Sequence, residues 1–186
     1  MRGAGAGFRR TLPGRVIHYQ WVNSISTKQL LVMYSYHLIY QSQALTTFTQ
    51  PELVELLRKS WAYNLNHQVT GMLLHAPNGQ FLHVLEGEEA TVHHLYYNRI
   101  VHDPRHEHLV VLSEGTSTTR VFPDWCMSFR VGPGLPALPG YYAPTALYRR
   151  VSNLTRATPE LKRLLLDFAM GYDDSALCES MIGSQR

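Results

Sequence analysis

His83 is the residue whose type and position most strongly suggest chemistry. It lies between Phe81 and Leu85 on one face of an alternating segment, so its imidazole is expected in the middle of a sheet. A neutral imidazole donates from one nitrogen and accepts at the other, which suits it to relay hydrogen bonds. The pattern also fits a core histidine that is hydrogen-bonded to a neighbour.

Ser60 and Asn64 are the second candidate pair. They continue a helical line that begins with Leu53 and Leu56, and they are polar where that line should remain apolar. The adjoining line, which should pack on the sheet, comprises Val54, Leu57, Trp61 and Leu65. We therefore expect a hydrogen-bonding group opposite Ser60 and Asn64. A serine and an asparagine satisfied near a helix end are the alternative.

The histidine-rich stretch does not predict a metal site. Its members are His93, His94, His102, His106 and His108. His102 and His106 have i, i+4 spacing, but Pro104 between them interrupts the helix that would place both on one face. No cysteine or acidic pair stands nearby to complete a ligand set. We expect no metal.

Glu86, Glu88 and Glu89 do not predict acid–base catalysis. Glu86 points away from His83, and the other two begin a helix, where negative charge offsets the helix dipole. The sequence has neither a phosphate-binding glycine loop nor a nucleophile elbow. An enzyme is therefore not expected.

Composition excludes several classes of protein. The chain has 186 residues and a net charge of +3, without a basic cluster interleaved with aromatics, so nucleic-acid binding is not indicated. No run of about 18 apolar residues predicts a membrane span. Two cysteines give no disulfide framework, so a cytoplasmic location is expected. Aromatic residues, at 11%, suit a flat ligand or a well-filled core.

The predicted elements that position these residues follow the order βαββαββ. The strands are expected at 31–42, either side of the Ala76–Gly79 turn in the hairpin 69–87, at 109–114 and at 125–131. A T-x-x-E capping box at Thr49 opens the first helix, and Glu88 or Glu89 opens the second, which breaks at Asp103–Pro104. This order predicts an α+β, ferredoxin-like fold with both helices on one face of the sheet.

The chain divides into three predicted parts. Residues 1–30 lack a sustained period and a signal-peptide core, so we expect a disordered extension, with Met33 as an alternative natural start. Residues 31–131 form the domain. Residues 132–186 comprise a Pro/Gly linker, helices at 144–154 and 158–170 that should cover the second sheet face, and a frayed tail after Gly171.

Six ordered motifs resemble the BLUF family of flavin-binding blue-light sensors. They are LIYQS at 38–42, S-x-x-x-N at 60–64, TGMLL at 70–74, GQFLHVLEGEE at 79–89, DPRH at 103–106 and WCM at 125–127. Each motif alone is weak, but their common order and spacing are specific. The resemblance covers about residues 31–131.

The resemblance implies FAD bound between the two helices. Ser60 and Asn64 match flavin contacts, and Tyr40 matches the tyrosine that donates an electron and a proton. The remaining implied cofactor positions are Ser42, Tyr63, Arg105 and His106, with tyrosine at position 63 departing from the family's asparagine or histidine. The implied signalling pair is Trp125 and Met127.

His83 is the main departure from the family. The family has a glutamine there, which bridges the tyrosine and the flavin and whose carboxamide reorganises in light. Imidazole becomes donor-only when protonated, whereas burial favours its neutral form. We therefore expect that flavin binding persists, with a neutral His83 bridging Tyr40 and the flavin, and that the photoswitch is weakened or altered.

Two functional hypotheses from different classes follow. The first is a blue-light sensor that signals through protein contacts, as a homo-oligomer or to a separate downstream protein. The second is a light-insensitive interaction or assembly module derived from the same fold. A ferredoxin-like phosphatase would need a basic anion cradle in the first loop, and residues 41–47 contain neither arginine nor lysine.

Overall fold

A computed structural model describes residues 35–130 and 137–182, with side chains as far as Met170. The predicted extension at 1–30 and most of the Pro/Gly linker lie outside the described residues. No helix in the described part of the chain is long and apolar enough to cross a membrane.

Eleven consecutive elements make up the described chain. The strands are β1 (Ser35–Ala44), β2 (Thr70–His75), β3 (Gln80–Gly87), β4 (His106–Ser117), β5 (Trp125–Ser128) and β6 (Tyr141–Tyr142). The helices are α1 (Gln50–Asn66), α2 (Glu89–Leu95), which continues as a π-helical turn (Tyr96–Ile100), α3 (Pro144–Ser152) and α4 (Pro159–Ile182).

The strands form one sheet in the order β4-β1-β3-β2-β5-β6. The first four strands pair antiparallel, and β5 pairs parallel with β2 and β6. This is the split βαβ arrangement of the predicted ferredoxin-like fold, extended by two strands. Register places Tyr40 opposite His83, and His83 opposite Leu73, so three neighbouring strands present these side chains in one row.

Side-chain alternation gives the sheet two apolar faces, and both are covered. On the first face, Leu53 and Leu57 of α1 and Val92 and Leu95 of α2 pack on the sheet. On the second face, α3 and α4 pack over sheet residues. The second cluster includes Ile39, Met72, Leu82 and Val84 from the sheet, and Leu147, Val151 and Leu165 from the helices. The C-terminal helices therefore cover the face predicted for them.

The helix starts follow local sequence chemistry. The Glu52 carboxylate accepts hydrogen bonds from the backbone N–H and the hydroxyl of Thr49, at 2.8 and 2.7 Å. The Glu88 side chain likewise accepts from the backbone N–H of Thr91 at the start of α2. Such caps satisfy groups that have no partner within the helix.

Several predicted boundaries were wrong. Strand β5 ends at Ser128, because its pairing with β2 ends at Leu74, and β6 was not predicted. Strand β4 is longer than 109–114, because β1 provides a partner along almost its whole length. Helix α3 ends at Ser152, two residues before the predicted end.

Two helix predictions also fail for physical reasons. Leu65 was expected on the sheet side of α1, yet it is 60% exposed, because the buried line runs through Leu53, Leu57 and Asn64. Helix α4 passes through Gly171 to Ile182 instead of ending there. A single glycine costs a helix roughly 1 kcal/mol relative to alanine, which does not by itself end it.

Gly71→Ala should destabilise the fold by about 3 kcal/mol or more. Gly71 has φ +141°, and a Cβ placed there would lie 1.9 Å from the Val84 carbonyl oxygen, which is backbone and cannot rotate away. Urea unfolding measures the loss. Gly87→Ala is the control, because its nearest neighbour is a Val92 methyl at 3.2 Å, and equal losses in both variants would contradict the argument.

Candidate functional site

Most of the predicted site residues surround a cleft of about 250 Å³ between α1, α2 and the first sheet face. Aromatic and aliphatic side chains make up half of its lining residues, and polar or charged side chains make up the other half, so the cleft combines apolar surface with hydrogen-bonding groups, as small-molecule sites do. The lining residues are Tyr40, Phe48, Leu56, Lys59, Ser60, Tyr63, Asn64, Leu73, Phe81, His83, Leu95, Arg99, Ile100, Asp103, Arg105 and His106.

Asn64 is the one cleft residue whose buried side-chain oxygen lacks a partner among the described residues. The residue is 2% exposed, because α1 holds it against the sheet at the end of its buried line. An unsatisfied buried acceptor costs about 1–3 kcal/mol, so an N–H donor in the cleft would be stabilised there. The amide thus fits a ligand that presents a donor edge.

His83 bridges two other aromatic side chains. Its Nδ1 lies 3.0 Å from the Tyr40 hydroxyl, and its Nε2 accepts the Trp125 indole N–H at 3.0 Å. Burial lowers the pKa of His83 from 6.5 to about 3, with a smaller contribution from His106, so the ring is neutral near pH 7. The expected contact with Tyr40 is present, but the other nitrogen binds Trp125. In this arrangement both ring nitrogens of His83 have protein partners, and the expected bridge to a flavin stays a prediction.

Tyr40 keeps its proton near neutral pH. Complete burial raises the pKa of its hydroxyl far above the ordinary value, and nearby Tyr96 and Asp103 act in the same direction. The ring also packs against Tyr96, with centroids 5.0 Å apart. Tyr40 is thus a neutral phenol, held by β1 and by the ring packing at the cleft wall.

The side chains of His106 and Ser42 are hydrogen-bonded to each other at the end of the cleft. The Ile100 carbonyl can only accept, so His106 Nε2 must donate to it at 3.0 Å. Nδ1 is then the acceptor for the Ser42 hydroxyl at 2.8 Å, if the ring is neutral. This contact joins β1, β4 and the π-helical turn, so His106 positions the cleft wall.

The rim of the cleft is cationic. Lys59, Arg99 and Arg105 line it. Arg105 is paired with Asp103 at 2.5 Å, and Lys59 is paired with Glu55 at 3.2 Å. Tyr63 lies between the Arg99 guanidinium, 4.2 Å from its ring centroid, and the His67 ring, stacked at 3.9 Å. Such a rim favours an anionic extension of a ligand.

The structure brings most of the predicted site residues into one cleft. Lining residues from that set are Tyr40, Ser60, Tyr63, Asn64, His83, Arg105 and His106. Ser42, Trp125 and Met127 do not line it. Ser42 bonds to His106, Trp125 donates a hydrogen bond to His83, and Met127 is buried against α1.

Lys59 and Arg99 were missed as cleft residues. Lys59 directly precedes Ser60, and Arg99 follows Leu95 by four residues, a spacing that only a regular α-helix would place in line. The π-helical turn that carries Arg99 has no clear signature in the sequence.

Other candidate residues have structural roles. Glu86 accepts hydrogen bonds from the backbone N–H groups of Val121 and Phe122 on the second sheet face, away from His83. Burial raises the pKa of this carboxyl, although these hydrogen bonds oppose the shift. Within the described ranges, no group of three or more His, Cys, Asp or Glu residues is arranged to hold a metal.

The fold and cleft define an α+β domain with a site for a flat ligand. Residues 35–128, half of the chain, match the BLUF family, described as sensors of blue light using FAD. The chain belongs to this family, which confirms the resemblance seen in its motifs. It is therefore a flavin-based blue-light sensor module by family. No curated protein matches it.

Solved structures share the fold. BlrB, a BLUF protein in its dark state, is 23% identical, with a TM-score of 0.52 over 76% of this chain and 98% of BlrB. Photo-activated BlsA is 21% identical, with a TM-score of 0.50 over 73% of this chain and 95% of BlsA. Klebsiella pneumoniae BlrP1, in a manganese and cyclic diGMP complex, is 26% identical, with a TM-score of 0.55 over 73% of this chain but 32% of BlrP1.

His83 should make the fold sensitive to acid. Its pKa in the folded chain is about 3, against an ordinary 6.5, so the unfolded chain binds the proton first as the pH falls. Stability is therefore lost as pH falls from about 6.5 towards 3. Between pH 7 and pH 5, the free energy of unfolding measured with urea should fall by about 2 kcal/mol less in His83→Gln than in the original chain.

His102→Gln is the matched control, because His102 lies exposed in the loop after the π-helical turn. It should retain the full pH dependence. Buried His75, whose pKa is also lowered by burial, to about 4, contributes equally to all three proteins. The same pH dependence with and without His83 would show that its ring is not held neutral.

Proposed function

We propose that this chain binds FAD in the cleft between α1 and α2 and works as a cytoplasmic blue-light sensor without catalytic activity of its own. In this proposal, it signals through protein contacts, as a homo-oligomer or to a separate protein. The observation that carries the flavin assignment is the buried Asn64 oxygen without a partner, in a cleft of a BLUF-family domain.

The lining of the cleft fits each part of a flavin nucleotide. Leu56, Leu73 and Phe81 provide apolar surface for a planar ring, and Asn64 provides an acceptor for a ring N–H. Ser60 lies one turn before Asn64 on the same side of α1. At the rim, Arg99 supplies positive charge for the diphosphate, whereas Lys59 is paired with Glu55 at 3.2 Å.

The protein residues hold the groups that a light reaction needs. Bound flavin would supply absorption of blue light and an acceptor for an electron. Tyr40 holds a protonated phenol at the cleft wall, and neutral His83 fixes its position through a 3.0 Å hydrogen bond. Tyr40 is therefore the proposed electron and proton donor.

His83 should alter the switch. A carboxamide can exchange its donor and acceptor by rotation, whereas both imidazole nitrogens are already bound to Tyr40 and Trp125. Reversing either contact requires a proton to move or the ring to leave both partners. The signalling state should therefore be weaker than in a glutamine-containing member.

A continuous set of contacts links the site to the C-terminal helices. Trp125 lies on β5, whose neighbour β6 leads directly into α3. Arg150 of α3 bonds to Asp124, just before Trp125, and to the Tyr142 hydroxyl of β6 at 2.6 Å. A displacement of β5 would thus act on α3, which makes the C-terminal helices that cover the second sheet face the proposed output surface.

The purified chain should be yellow and bind FAD, and Asn64→Ala should weaken binding about tenfold, because one hydrogen bond of about 1.4 kcal/mol is lost. Titration followed by flavin fluorescence measures the affinity. Asn66→Ala, exposed on the same helix, is the control and should bind as the original chain does. A chain that stays colourless with excess FAD would favour the light-insensitive interaction module.

Blue light should produce little red shift in the flavin spectrum of the original chain, and His83→Gln should restore or enlarge the shift. The reason is that glutamine regains the exchangeable carboxamide beside Tyr40. Absorption spectra before and after illumination test both statements. A full-sized, slowly reversing shift in the original chain would contradict the proposed effect of His83.

A further inference from the structure

The hydrogen bond from Trp125 bears on which ring nitrogen of His83 carries the proton. A neutral imidazole carries its proton on one nitrogen only, and the partner of the other nitrogen decides which one. An indole N–H can only donate, so the 3.0 Å contact with Trp125 requires an unprotonated Nε2. The proton must then reside on Nδ1.

The direction of the second hydrogen bond follows. With the proton on Nδ1, His83 donates to the Tyr40 hydroxyl oxygen over 3.0 Å. The Tyr40 proton is therefore not given to His83. Turning the ring over would put carbon atoms in place of both nitrogens and would lose both contacts.

The sheet allows Trp125 to reach His83 from two strands away. His83 lies on β3 and Trp125 on β5, with β2 between them. The residue of β2 opposite Trp125 is Gly71, which has no side chain to intervene. All three participating side chains are at most 4% exposed, so water does not compete for these bonds.

We propose that Trp125 is a positioning residue that fixes His83 as the Nδ1–H tautomer, so that the imidazole acts on the cleft only through Tyr40. The consequence for light sensing rests on the proposed function. In this arrangement, His83 orients the phenol as a hydrogen-bond donor to it and offers a bound ring no free nitrogen. Trp125 thereby sets the direction of the Tyr40 proton.

The test measures the tautomer of His83 in long-range ¹H–¹⁵N spectra of the full-length chain labelled with ¹⁵N-histidine. The signal that disappears in His83→Gln is assigned to His83. In the original chain, His83 should be the Nδ1–H form. His106 is an internal reference, because its Nε2 must donate to the Ile100 carbonyl and should therefore carry a proton. An Nε2–H signal for His83 would overturn the proposal.

Trp125→Phe should lower the ratio of the Nδ1–H form to the Nε2–H form of His83 by about tenfold. Without the indole, Nε2 has no donor to accept from and can carry the proton, while Nδ1 can accept from the Tyr40 hydroxyl. His106 should not change. Trp61→Phe, an indole that packs on Gly140 and does not line the cleft, is the matched control. An unchanged His83 tautomer in Trp125→Phe would overturn the proposal.

Tyr40→Phe provides a second test if Trp125→Phe fails to fold. Trp125 still donates to Nε2 in this variant, so His83 should remain the Nδ1–H form. A change to Nε2–H would show that Tyr40 sets the tautomer and would refute the role of Trp125.

The spectra are recorded without and with FAD, so the two proposals can fail separately. A chain that binds no FAD but shows the Nδ1–H form supports the role of Trp125 while refuting the flavin site. With FAD bound, loss of the Nδ1–H form would refute the statement that His83 acts only through Tyr40.

Discussion

The structure depends on hydrogen bonds to both nitrogens of the His83 imidazole, which lies in the middle of a buried sheet. His83 has two nitrogens with different requirements, and leaving either without a partner would cost about 1–3 kcal/mol. Tyr40 and Trp125 meet these requirements from opposite sides at 3.0 Å each. Strands β1, β3, β2 and β5 must therefore keep one register for the site to exist, and the register in turn fixes which side chains line the cleft.

The alternation of side chains connects this site to the rest of the molecule. Trp125 points to the cleft side, whereas the next residue, Cys126, is buried in the cluster beneath α3 and α4. One short strand therefore contributes residues to both cores. Because packed interiors deform little, a displacement on one side is expected to affect the other. The C-terminal helices thus complete the core and lie where a change at the site would be transmitted.

Local signals accounted for much of the fold. The Thr49–Glu52 capping box and the alternation around His83 depend on neighbours in sequence, and both were predicted. The end at Gly171 and the burial of Leu65 were wrong because helix length and orientation depend on packing. The cleft residues on α1 were found because helical spacing puts Ser60 and Asn64 in line, whereas Arg99 lies on a π-helical turn without a clear sequence signature.

The sequence by itself determined the family, the order of the first five strands and the two helices between them, and the polar residues on the cleft side, because motifs, caps and periodicity are local properties. Only the tertiary structure decided how those residues are paired. Residues 83 and 125 are far apart in sequence, and their hydrogen bond depends on strand order, on register and on a glycine in the intervening strand. Sequence spacing contains no direct information about that distance, so only the assembled sheet identifies Trp125 as the partner of His83.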